Sequence, residues 1–195
     1  MFVDGTFRSF SRPYIDGYNG LAQRVHWSGH KKRHGNNHQG CTTPDGIIVE
    51  MHGPYAGRTN DIQMLQNSGL MGRLMRAGLY RGTRYCGFGD RGYPRNNPWL
   101  HIPFLGRDLP EAHAEYNLKM SRVRQCVEWS FGKVVSLFAF VDFAKNQKLH
   151  LQPVASYWQI AALLTNCHSC LYGNQTAMYF GLATPDLEAY LAAGF

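Results

Sequence analysis

Apolar and polar positions along the first half of the chain predict short strands separated by turns. The apolar run at residues 1–3 is typical of a strand that ends at a turn after Asp4. Polar residues up to position 43, turn residues at 44–46 and the apolar run 47–51 predict a hairpin. Residues 79–88 and 99–103 predict two more strands, and the prolines of the second favour a sheet edge.

Helical spacing dominates the second half and one segment of the first. Residues 60–77 predict a helix capped by Asn60 or Asp61, and residues 110–137 predict the longest helix. A final helix is expected at 151–171. In the longest helix one face should pack on the sheet, since four residues keep helical spacing: Val123, Val127, Val134 and Leu137. The order of elements predicts an α/β fold, a mixed sheet flanked by helices.

Length and composition favour one domain with a polyanionic partner. The 195 residues are 44% hydrophobic, enough for a single core, and we place the domain at 1–173 with a C-terminal tail at 174–195. The formal net charge of +7 favours binding to nucleic acid. Five scattered cysteines and the absence of a secretory leader pattern predict a reduced intracellular protein. No apolar run reaches the length of a bilayer span, so no membrane partner is expected.

Four acidic residues in short turn-forming motifs are the candidate chemistry. They are Asp4 in VDGT, Asp61 in GRTND, Asp90 in GDRGYP and Glu128 in VEWSFG, within a chain that has only 13 Asp and Glu. Carboxylates at about 4 Å repel one another by about 4 kcal/mol at an effective dielectric near 20, so clustering them favours a metal site. Mg²⁺ and Mn²⁺ prefer such oxygen ligands, and two ions about 3.5–4 Å apart can support phosphodiester cleavage.

Each acid taken alone also has an ordinary interpretation. Asp-Gly is a common turn dipeptide, Asp61 could serve only as a helix cap, and Glu128 could be a solvated helix residue. The order of the motifs along the chain is more informative than any one of them.

That order resembles the PIF/Harbinger type of the DDE transposase superfamily, including its domesticated Harbinger-derived nucleases. The resemblance spans residues 2–173 and is carried by the four motifs together with WSGHK at 27–31, TPDG at 43–46 and GPYA at 53–56. It implies an RNase H-like fold, a divalent metal cation (Mg²⁺ or Mn²⁺) and cleavage or transfer of DNA strands. It further implies that Asp4, Asp90 and Glu128 are the catalytic triad, and that Asp61 joins them as a metal ligand.

Two departures from the family pattern keep a second function open. Arg91 stands where the family more often has a small residue, and it could bind phosphate or pair with Asp90. Only three residues precede Asp4, so we expect the first strand of the sheet to be truncated. The alternative is therefore a catalytically inactive transposase remnant that binds DNA or a protein partner.

The resemblance also sets expectations for partners and location. DNA is the expected partner, together with a separate DNA-binding partner protein, and the nucleus is the expected location, with the cytoplasm as a second one. The oligomeric state stays open.

Other motifs have weaker functional interpretations. His30, His34, His38 and His52 could form a zinc site, but a basic loop contacting DNA is the favoured interpretation. The CHSC segment at 167–170 is favoured as core packing over a redox or zinc pair. Basic clusters are candidates for phosphate contacts, and Arg124 should share a helix face with Glu128, four residues later. These clusters are residues 31–33, the pairs Arg81/Arg84 and Arg91/Arg95, and the group Lys119, Arg122 and Arg124.

Overall fold

A computed structural model describes residues 1–14, 17–149 and 151–193, and shows a mixed α/β protein. Its strands in chain order are β1 (Phe2–Ser9), β2 (Trp27–Ser28), β3 (Arg33–Thr42), β4 (Ile48–Ala56), β5 (Leu79–Tyr80), β6 (Thr83–Arg84), β7 (Gly87–Phe88) and β8 (Leu100–His101). Its helices are α1 (Asn19–His26), α2 (Asp61–Ser68), α3 (Leu70–Ala77), α4 (Glu111–Leu137), α5 (Val154–Tyr172), α6 (Gln175–Phe180) and α7 (Leu187–Ala192), with a 3₁₀ turn at Ala139–Asp142.

The main sheet is mixed and places β1 in its middle. Strand β3 runs antiparallel to β1 and is paired on its other side with β2 and β4. Strand β7 runs parallel to β1 on the opposite side, and β8 runs parallel to β7 at the sheet edge. The edge position predicted for residues 99–103 is thus confirmed, and so is the hairpin that β3 and β4 form.

The first strand is not a truncated stub that stops at Asp4. Strand β1 has eight residues, and all of them pair with β3, from Phe2 opposite Thr42 to Ser9 opposite Gly35. The expected turn at Gly5 was wrong, because this pairing satisfies the backbone hydrogen bonds of the residues after Asp4. Asp4 therefore lies inside a central strand.

The strand predicted at residues 79–88 was also wrong over most of its length. Strands β5 and β6 form a separate two-stranded hairpin, and only Gly87 and Phe88 join the main sheet. The chain reverses at Arg81 and Gly82, which have φ values of 49° and 77°. Positive φ at both central residues is the geometry of a tight hairpin turn, and an Arg-Gly pair is a weak signal for it.

The helix predictions were right in kind and differ at specific residues. The predicted helix at 60–77 divides into α2 and α3 at Gly69, where φ is 67°. Asn60 is the cap of α2, because its side chain accepts a hydrogen bond from the Gln63 amide. In α4, Val127 and Val134 are fully buried as predicted, whereas Leu137 is exposed at the end of the helix.

Helix α4 packs on the sheet and forms the larger part of the core. Its buried residues lie against Phe2, Ile48 and Trp158 of β1, β4 and α5. A second core cluster, on the other side of β1, contains Val3 and residues of α2 and α3. Asp4 thus follows a residue that both the strand pairing and the core hold in place.

The residues after 173 form α6 and α7, which pack on the rest of the chain. The Asn166 amide of α5 donates to the backbone oxygen of Ile48 and to the hydroxyl of Tyr190 on α7. The domain boundary placed at residue 173 stays a prediction. In the part of the chain that the structure describes, no helix is long and apolar enough to cross a membrane.

Candidate active site

Asp4 is a largely buried carboxylate on the central strand. Its side chain is 18% exposed, and it accepts hydrogen bonds from the Gly5 amide and from Nη1 of Arg124, both at 2.9 Å. Burial raises the pKa of Asp4 to about 6 from an ordinary 3.8; Arg124 opposes this increase and Asp90 adds to it. Burial therefore disfavours the ionised form of Asp4, and the Arg124 guanidinium favours it.

Asp90 lies next to Asp4 because β1 and β7 are parallel neighbours. Phe2 pairs with Phe88, and each aspartate comes two residues after its member of that pair. An offset of two positions along parallel strands places both side chains on the same face at the same end of the sheet. The Gly92 amide donates to Asp90 Oδ1 at 2.9 Å and fixes this carboxylate.

Asp61 enters the same cluster from the first turn of α2, and two glycines leave room for it. A Cβ on Gly5 would stand 2.7 Å from Asp61 Oδ1, and a Cβ on Gly92 would stand 2.5 Å from Asp61 Oδ2 and 3.1 Å from Asp90 Oδ1. Any larger residue at either position would push the carboxylates aside. Burial and the neighbouring Asp90 raise the pKa of Asp61. The structure thus brings Asp4, Asp61 and Asp90 together, and we call them the aspartate cluster.

Asn37 holds the segment that leads into Asp61. Its side-chain amide donates to the backbone oxygens of Gly57 and Thr59, at 3.3 and 2.8 Å. These bonds attach the GRTND motif to β3 before the helix begins. Sequence analysis did not select Asn37, since a lone asparagine in a polar run carries no distinctive signal.

Tyr93 is a second residue whose place at the site was not anticipated. It is 2% exposed, and within the described residues its hydroxyl has no hydrogen-bond partner. Burial raises its pKa well above the ordinary value, and Asp61, Asp4 and Asp90 raise it further. Tyr93 therefore stays protonated beside the aspartate cluster. Its position three residues after Asp90 was the available signal.

Glu128 lies apart from the aspartate cluster. It is on α4 next to the fully buried Val127, its side chain is 56% exposed, and it lines a separate cavity of about 490 Å³. Arg124 connects the two regions: its Nη2 lies 3.6 Å from Glu128 Oε1 while its Nη1 bonds Asp4. The predicted sharing of a helix face by Arg124 and Glu128 is confirmed.

The aspartate cluster forms one side of a cleft of about 940 Å³ that also has basic residues. These basic and imidazole side chains come from β1, from the β2–β3 turn, from the first residue of β3 and from the segment before α2. They are Arg8, His30, Lys31, Arg33 and Arg58. Arg8 also pairs with Asp142 at 2.9 Å. A cleft with carboxylates beside cations can hold a phosphodiester backbone next to a divalent cation.

The donor chemistry fits Mg²⁺ or Mn²⁺, although the carboxylates of the described residues are not arranged to hold an ion. Carboxylate oxygens are the preferred ligands of both ions, and Gly5 and Gly92 bring two aspartates together. Within residues 1–14, 17–149 and 151–193, no group of three or more His, Cys, Asp or Glu side chains is arranged to hold a metal ion. One of these carboxylates already has a cationic partner, because Arg124 is bonded to Asp4. Metal binding by Asp4, Asp61, Asp90 and Glu128 stays a prediction.

The histidines, the CHSC cysteines and the arginine pairs singled out from the sequence lie on separate elements. His34 and His38 are in β3, and His38 is buried with a pKa lowered to about 3 by that burial, while His30 lines the cleft. Cys167 and Cys170 are free thiols on α5. Arg84 lies on the β5–β6 hairpin. Among the described residues, no ion pair joins Arg91 to Asp90.

Comparison with known proteins identifies the family. The model of a family described as DDE superfamily endonuclease matches residues 3–166, which include the aspartate cluster, Arg124 and Glu128. Neither a curated protein nor a solved structure gives a significant match. The family match covers most of the chain, and its endonuclease description agrees with a cleft that places acidic beside basic side chains. The chain belongs to the DDE superfamily endonuclease family.

Proposed function

We propose that this protein is a metal-dependent DNA endonuclease of the transposase type, close to the PIF/Harbinger group, which cleaves phosphodiester bonds. The observation that carries the proposal is the meeting of Asp4, Asp61 and Asp90 in one cleft, from three separate parts of the chain. Like charges held together are costly without a cation, and Asp90 adds to the raised pKa values of Asp4 and Asp61, which burial mainly causes.

We assign the fold to the RNase H-like class. The support is the topology: β1, which carries the first acid, is central, with the antiparallel β3 on one side and the parallel β7 and β8 on the other. This is the position that the resemblance implies for the first acidic strand.

We assign Asp4, Asp90 and Glu128 as the catalytic acids and Asp61 as the fourth metal ligand. When bound, a divalent cation supplies charge screening for the phosphate. Asp4, inside β1, and Asp90, two residues after β7, would hold that cation beside the reacting phosphate, and the protonated Tyr93 lies next to them. Lys31, Arg33 and Arg58, which line the same cleft, bind DNA phosphates.

We propose DNA as the substrate, recognised with the help of a separate DNA-binding protein, and the nucleus as the working location, with the cytoplasm as a second one. The basic side of the cleft supports DNA binding through phosphate contacts, which carry no sequence information by themselves. A separate partner would supply that information.

A plasmid-nicking assay tests the activity. Purified protein with Mn²⁺ should convert supercoiled plasmid to the nicked form, and Asp90→Asn should abolish this conversion. Asp108→Asn is the matched control, because Asp108 is exposed and lies outside the cleft. Equal nicking by Asp90→Asn and the wild type would sink the assignment.

A second candidate function is DNA or protein binding without cleavage. It is favoured by the ion pair between Arg124 and Asp4 and by the separation of Glu128 from the aspartate cluster. It predicts no change in melting temperature with Mn²⁺. A rise in melting temperature that is lost in Glu128→Gln would count against it.

A further inference from the structure

Arg124 lies between Asp4 and Glu128 and pairs with both. Its guanidinium is 20% exposed, its Nη1 lies 2.9 Å from Asp4 Oδ2, and its Nη2 lies 3.6 Å from Glu128 Oε1. Asp4 is on the central strand and Glu128 is on α4, so the guanidinium connects two elements, and Asp4 and Arg124 are 120 residues apart in sequence. The guanidinium pairs with two of the carboxylates that the proposed function assigns as catalytic acids.

The carboxylates of Asp4 and Glu128 attract the Arg124 guanidinium and hold it between them. Asp4 is largely buried and lies beside the acidic Asp90, and Arg124 is the partner that opposes the increase in its pKa. A buried carboxylate without a nearby cation is costly, so the cluster needs a positive charge whether or not a metal is present.

We propose that Arg124 is an internal counter-cation, which stabilises the metal-free site and competes with a divalent cation for Asp4 and Glu128. This inference rests on the metal site of the proposed function. A metal ion can bind Asp4 Oδ2 and Glu128 Oε1, the two oxygens that Arg124 contacts, only when the guanidinium moves away. Metal binding and release of Arg124 are then one coupled event.

The structure offers a place for the released side chain. A cavity of about 290 Å³ beside α4 is lined by Arg124 itself together with Asp90, Arg91, Pro103, Asn117, Met120 and Ser121. The Asn117 side chain accepts a hydrogen bond from the Phe104 amide at 2.8 Å and donates one to the Phe104 backbone oxygen at 2.9 Å, which holds this side of the cavity in place. A rotation of Arg124 into this cavity would keep its charge near the cleft, because Asp90 lines both.

Isothermal titration of the metal-free protein with Mn²⁺ at pH 8 tests the competition without any nuclease reaction. Arg124→Gln should bind Mn²⁺ about ten- to a hundredfold more tightly than the wild type, because no charged hydrogen bond has to be broken. Arg122→Gln is the matched control: it removes the same charge from an exposed position two residues away on α4, and its affinity should stay within about threefold of the wild type.

A structural role for Arg124 would change the affinity in the opposite direction. If Arg124 only positions Asp4, then Arg124→Gln binds Mn²⁺ more weakly than the wild type, and that result overturns the inference while leaving the metal site intact. An equal increase in Arg122→Gln also overturns it, because the effect would then be general electrostatics. If neither the wild type nor Arg124→Gln binds Mn²⁺, the metal site of the proposed function fails as well.

A measurement on the wild type covers the case in which Arg124→Gln does not fold. Nitrogen-15 spectra of arginine side chains should show the Arg124 signal shift on saturation with Mg²⁺, with the signal assigned from its loss in Arg124→Lys. An unchanged Arg124 signal in Mg²⁺-saturated protein overturns the inference.

Discussion

Replacing Gly92 with alanine should damage the site while leaving the fold intact. The new Cβ would stand 2.5 Å from Asp61 Oδ2 and 3.1 Å from Asp90 Oδ1, whereas ordinary contacts begin at 3.4 Å. The Asp61 oxygen must therefore retreat by about 0.9 Å, and a misplacement of about 1 Å in a catalytic group costs on the order of a hundredfold in rate. The backbone itself is not strained, because Gly92 has no positive φ.

We expect Gly92→Ala to lower the plasmid-nicking rate about a hundredfold and to weaken Mn²⁺ binding. The free energy of unfolding in urea should change by less than about 0.5 kcal/mol, because residue 92 is exposed. Gly29→Ala is the control, since Gly29 also borders the cleft but a Cβ there meets no atom within 4 Å. Wild-type nicking and Mn²⁺ affinity in Gly92→Ala would refute the argument that the glycine makes room for Asp61 and Asp90.

Three further predictions concern the charge, the support and the substrate of the site. Asp4→Asn should abolish nicking and raise the free energy of unfolding at pH 8 by on the order of 2–3 kcal/mol. The stability rises because the folded-state pKa of Asp4, about 6, exceeds its unfolded value near 4. This gain should vanish in melts below pH 4, where Asp4 is protonated in both states. Asn37→Ala should lose about 1–2 kcal/mol of stability in urea unfolding, through the two hydrogen bonds to the segment 57–59, and unchanged stability would show that these bonds do not hold it. Replacing Lys31 and Arg33 together with glutamine should reduce the salt slope of DNA binding by about two, measured by fluorescence anisotropy, and an unchanged slope would place the DNA elsewhere.

The stability gain predicted for Asp4→Asn follows from the sign of its pKa shift. A carboxyl whose folded-state pKa is raised binds more protons in the folded state than in the unfolded state between about pH 4 and pH 6. Stability from this group therefore falls as the pH rises through that range. Ionised Asp4 is a cost to the fold at neutral pH, as expected of a group kept for function.

Local patterns predicted the elements that are long or have strong turn signals. Helix α4 was predicted nearly to the residue, since Pro110 marks its start and apolar residues such as Val127 and Val134 keep helical spacing along it. The β3–β4 hairpin was predicted because Pro44, Asp45 and Gly46 are turn residues. The strand at 79–88 failed, because Arg81 is not a residue type that signals a tight hairpin turn.

The sequence by itself determined the family, the four acids and the helical half of the fold, because ordered motifs and periodicity are local properties of the chain. Only the tertiary structure decided that the strand carrying Asp4 continues to Ser9, that Asp61 fits between two glycines, and that Arg124 stands between Asp4 and Glu128. These outcomes depend on strand register and on contacts between residues far apart in sequence, which no local pattern encodes. The contact between Arg124 and Asp4 also lowers the net negative charge of the metal-free site.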